Sequence, residues 1–75
     1  MNLTQTEKLL IYDLNQFPLS EEDQEAIFLF LREEEDQLLM IYYLKTHLNA
    51  TPQDILNESG RILQQRKRLN ESSES

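Results

Sequence analysis

Seventy-five residues carry fourteen Asp and Glu against seven Lys and Arg, with one His, one Gly, two Pro, no Cys and no Trp, for a formal charge of −7. A chain this short holds one small domain, can form neither a disulfide framework nor a thiolate metal site, and buries only about 60% of its unfolded surface, which leaves few apolar residues to line a catalytic pocket. The isoelectric point near 4.5 argues against binding nucleic acid through a positive field over the whole surface.

Leu occurs fourteen times, Ile five times and Val never. Leu loses little rotamer freedom in a helix, whereas Val favours strands. With so few turn residues the expected class is all-α, a single-domain bundle of four short helices over residues 1–69, followed by a polar, disordered tail at 70–75. The apolar runs Ala26–Leu31 and Leu38–Leu44 could also be read as strands, but they are Leu-rich and flanked by Glu. Neither approaches the roughly 18 apolar residues of a membrane span. Met1-Asn2-Leu3-Thr4 lacks the basic start of a secretory signal, so the expected compartment is the cytoplasm, and the sequons at Asn2, Asn49, Asn57 and Asn70 are read as chance.

In chain order, Thr4-Gln5-Thr6-Glu7 fits a capping box, and Leu10, Leu14 and Phe17 follow at helical spacing until Pro18 ends the helix. Ser20 caps a second helix, with Glu21, Glu22 and Asp23 in its first turn and Ile27, Phe30 and Leu31 as its apolar stripe. One helix from 21 to 48 would be about 42 Å long. A break is therefore expected between Glu33 and Gln37, with Asp36 as a new N-cap; the alternative is an extended helix paired with a second chain. The third helix, about 37–48, is apolar nearly all round, which implies a central position or a shared one. Thr51-Pro52 with Asp54 marks the fourth start. Gly60 falls inside that helix and either divides it, giving five helices, or admits a close neighbour.

The charge is segregated. Residues 21–36 hold eight acids and one base, while 59–75 hold four bases and two acids. Adjacent carboxylates at Glu33, Glu34, Glu35 and Asp36 diverge around a helix and do not form a calcium loop. His47 has no second His with which to build a zinc site. No cofactor and no metal is implied, no nucleophile elbow or phosphate loop is present, and the chain is not expected to be an enzyme.

Two features suggest function. Twenty-two of the twenty-nine apolar residues lie in the first forty-four positions. Helices two and three therefore carry more apolar surface than a small bundle can cover, and Phe28, Leu29, Tyr42 and Tyr43 are the expected partner-binding residues. The expected function is a non-catalytic protein–protein interaction or regulatory module, with a homodimer through helices two and three as one form. The second feature is Thr51-Pro-Gln-Asp-Ile-Leu-Asn-Glu-Ser-Gly60 followed by Arg61-Ile-Leu-Gln-Gln-Arg-Lys-Arg-Leu69. This stretch of about twenty residues resembles the helix–turn–helix of transcription regulators, with Gly60 at the turn. The resemblance implies a DNA-reading helix presenting Arg61, Gln64, Gln65, Arg66, Lys67 and Arg68. It departs from the pattern in placing Arg61 after the Gly, and an acidic body would repel DNA. A third reading makes residues 21–36 a mimic of nucleic-acid phosphate.

Overall fold

A computed structural model describes residues 2–74, with side chains over 2–69. It contains four helices: α1 (Gln5–Leu14), α2 (Glu21–Phe30), α3 (Glu34–Thr46) and α4 (Pro52–Glu74), with no strand among the described residues. The class is all-α, as composition implies.

Three helix starts follow the local signals. The Glu7 amide donates to Thr4 Oγ1 at 3.0 Å, and the Thr4 amide donates back to Glu7 Oε1 at 2.8 Å. Ser20 and Asp23 form the same reciprocal pair, as do Thr51 and Asp54. Each box satisfies two backbone donors that the first helical turn leaves without partners.

The break between α2 and α3 falls earlier than expected. It occupies Leu31–Glu33, and Glu33 rather than Asp36 is the N-cap, without a side-chain cap bond. Leu31 leaves the helical region at φ −109° and ψ 69°. Its fully buried side chain is one anchor of this turn. Its carbonyl is the other, accepting from the buried Gln37 side-chain amide at 2.9 Å. Neither Gly nor Pro is needed.

Gly60 divides nothing. α4 runs through it for 23 residues, its φ is not positive, and a Cβ built there would meet nothing within 4 Å. It marks neither a turn nor a close approach, so the bundle has four helices. The tail expected at 70–75 is helical backbone as far as Glu74; its side chains and Ser75 lie outside the described residues.

α1 packs on α3, α3 on α4, and α4 on α2. Thr6 Oγ1 donates to Glu34 near the starts of α1 and α3, and Lys45 meets Asp13 near their ends at 3.6 Å, so these two helices run parallel. Arg66 late in α4 reaches Asp36 early in α3, so that pair is antiparallel. The core comprises Leu10, Leu14, Ile27, Leu31, Met40, Ile41, Leu44, Ile55 and Ile62. The radius of gyration, 12.6 Å, exceeds the roughly 11 Å of an average domain of this length. α4 is about 34 Å long, and the longest extent of the molecule is 41 Å.

α3 is not central. Gln37, Met40, Ile41 and Leu44 turn one face inward, while Leu38, Leu39 and Tyr42 remain 50%, 52% and 70% exposed.

Candidate functional site

An open groove of about 600 Å³ lies between α1 and α2, lined by Ile11, Glu21, Gln24, Glu25, Phe28, Leu29 and Arg32. Positions 21, 24, 25, 28, 29 and 32 recur at three- and four-residue spacing, so they form one stripe along α2. The rise of about 1.5 Å per residue makes that stripe about 16 Å long. Its centre is apolar. Phe28 is half-buried against the core, Leu29 is 65% exposed, and Ile11 is the residue that α1 adds to the lining. Glu21 and Glu25 stand at one end and Arg32 at the other. None of these three makes an ion pair among the described residues.

Of the four residues expected to bind a partner, the structure brings Phe28 and Leu29 together in this groove. It places Tyr42 and Tyr43 elsewhere, in a smaller cleft between α3 and α4 with Leu39, Glu58 and Ile62. Tyr43 is half-buried and stacks on His47 with ring centroids 4.2 Å apart. Burial is the main cause that pushes its phenol above the ordinary tyrosine value, with the Asp54 and Glu58 carboxylates adding to it. His47 Nδ1 lies 3.0 Å from the Tyr43 carbonyl, so the imidazole closes the end of α3, where the helix dipole favours a donor. Composition did not single out Ile11 or Arg32, because their part in the groove depends on how α1 lies beside α2. Leu38, Leu39 and Leu69 line a separate shallow cleft around Arg66.

The basic residues of α4 are partly occupied. Arg61 Nε donates to Glu58 at 3.0 Å. Arg66 Nε donates to Asp36 at 2.7 Å, and its Nη2 reaches Glu35 at 3.4 Å. Both guanidinium groups are held above their ordinary values, Arg61 chiefly by its hydrogen bond to Glu58 and Arg66 chiefly by its bond to Asp36. Gln64, Gln65, Lys67 and Arg68 are exposed. The unbroken helix through Gly60 removes the turn on which the resemblance to a helix–turn–helix depends.

The acids of 21–36 do not form one strip. Glu21, Glu22 and Glu25 lie at the start of α2, while Glu33, Glu34 and Glu35 lie beyond its far end, about 15 Å along the helix. Asp36 is buried beneath Arg66. No group of three His, Asp or Glu side chains converges on a metal position among the described residues. No described helix is long and apolar enough to cross a membrane. Comparison with protein-family models, curated proteins and solved structures finds no match.

Proposed function

We propose that this chain is a non-catalytic interaction module of the cytoplasm that regulates a partner protein by docking. The observation that carries the reading is the groove beside Phe28 and Leu29, which stays open although the domain already has a complete core of nine buried apolar residues. An exposed apolar surface rimmed by charge is the usual form of a docking site. Its apolar centre would supply affinity, and the acids at its rim would steer the encounter. Tyr42, with Leu38 and Leu39, offers a second apolar face. Self-association through α2 and α3 is one form of the same reading.

Site-specific photo-crosslinking in the native host tests this. A photoreactive residue at position 29 or 42 should trap a discrete protein adduct, or a dimer of this chain, whereas the same residue at exposed Gln53 should not. Failure at both apolar positions, together with a monomer by light scattering that binds no hydrophobic dye, would remove the reading.

A further inference from the structure

We propose that the α1–α2 groove seats a single amphipathic helix of a partner protein, one that carries basic residues at the end meeting Glu21 and Glu25. The inference rests on the docking function proposed above and names the chemistry of the occupant.

The shape of the groove argues for a helix. The α2 stripe is a straight row of side chains about 16 Å long with Ile11 of α1 beside it, enough for roughly three turns of a docked helix. Such a helix would set its apolar side chains at helical spacing against Ile11, Phe28 and Leu29. The described body offers no sheet edge, so an extended peptide would find no backbone ladder to join.

Charge argues for a basic occupant. The first turn and a half of α2 holds Glu21, Glu22, Asp23 and Glu25 with no Lys or Arg. Asp23 is engaged in the cap of its own helix. Glu21 and Glu25 are exposed at the groove. Arg32 at the opposite end gives the groove a polarity, so the occupant's direction is set as well as its sign. A second copy of this chain is the competing occupant, since an antiparallel copy would set Arg32 against Glu21 and Glu25. Two chains of −7 each repel.

The test uses the full chain and three labelled synthetic peptides of about 18 residues, about five helical turns. One is a Leu/Lys amphipathic helix with its Lys residues toward one end. One has the same composition scrambled to remove the apolar stripe. One has Glu in place of Lys. Binding is read by fluorescence anisotropy near physiological ionic strength, with circular dichroism confirming that each variant is folded. The amphipathic basic peptide should bind at least about tenfold more tightly than the other two. Leu29→Glu, and separately Glu21→Gln with Glu25→Gln, should each weaken it by about tenfold. Gln53→Lys with Asn57→Lys makes the same charge change away from the groove and should alter binding less than about threefold.

Equal binding of the scrambled peptide, indifference to Leu29→Glu, or a dimer that Leu29→Glu dissolves would each overturn the proposal. If the peptides fail while crosslinking at position 29 or 42 still traps a protein, only the basic helical occupant is wrong. If crosslinking fails as well, the interaction reading falls with it.

Discussion

At the scale of single residues, Arg66 and Asp36 form the main polar contact between α3 and α4. The Asp36 side chain is 5% exposed, and its carboxylate is matched by the Arg66 guanidinium at 2.7 Å. Removing Arg66, which is itself partly exposed, leaves the buried Asp36 carboxylate without compensation. Arg66→Ala should therefore lower the urea midpoint more than any other truncation of a basic residue in α4. Arg66→Lys should recover only part of the loss, because an ammonium lacks the planar fork. Lys67→Ala should change stability by no more than about 0.5 kcal/mol, as expected of an exposed position. Equal effects at positions 66 and 67 in urea titrations would contradict this account.

Tyr43 makes the fold less stable at alkaline pH. Burial and the nearby Asp54 and Glu58 carboxylates hold its proton in the folded state above the ordinary tyrosine value. Above about pH 10 the unfolded chain has released that proton while the folded chain retains it, so stability falls as pH rises through this range. Tyr43→Phe keeps the ring that stacks on His47 and removes the titrating hydroxyl. The variant should lose less stability than the parent between about pH 9 and about pH 10.5, as measured by denaturant midpoints at the two values.

At the scale of elements, α4 carries a helical glycine that serves no conformational purpose. Gly60 has ordinary helical backbone and open space where a Cβ would lie. Gly60→Ala should stabilise the protein by about 0.5–1 kcal/mol, raising the melting temperature by roughly 2–8 °C for a domain of this size. A destabilised variant in thermal scans would mean that the residue has a role in flexibility or contact which the bundle does not reveal. The neighbouring Ser59 is fully buried, yet its hydroxyl donates to the Ile55 carbonyl one turn back. This local bond lets a polar side chain sit on the inner face of α4 without a partner from another helix.

The elements also show which sequence signals could be read. Thr4, Ser20 and Thr51 each stand three residues before an acid, and all three begin helices as expected. The α2–α3 break was legible only as a necessity of length. Its location depends on the Gln37 amide reaching the Leu31 carbonyl and on Leu31 filling the core, and neither is announced by a turn residue. Asp36 looks like an N-cap by type, but the antiparallel approach of α4 makes it the buried partner of Arg66 instead. Phe28 and Leu29 were identifiable as surplus apolar residues on α2. Ile11, which completes their groove, was not.

At the scale of the whole molecule, residues 1–58 sum to −9 and residues 59–75 to +2. Two of the four C-terminal bases, Arg61 and Arg66, are engaged with acids of the same chain. Long-range repulsion from the acidic body should dominate any encounter with DNA. Anisotropy titration with a labelled duplex near physiological ionic strength should give no saturable binding. Tight binding lost on Lys67→Ala with Arg68→Ala would reinstate α4 as a nucleic-acid surface.

The helical class, three of the four helix starts and the exclusion of disulfides are written in local sequence. These follow from composition or from hydrogen bonds that span three residues, so adjacent residue types encode them directly. Tertiary structure decided the place of the α2–α3 turn, the face of α3 left in solvent, the burial of Asp36 and the groove beside Phe28 and Leu29. These depend on residues far apart in the chain, such as Thr6 with Glu34 and Asp36 with Arg66, 28 and 30 positions apart. Such pairs meet only when whole helices pack, and several packings can satisfy the same local pattern until burial of the nine core side chains selects one.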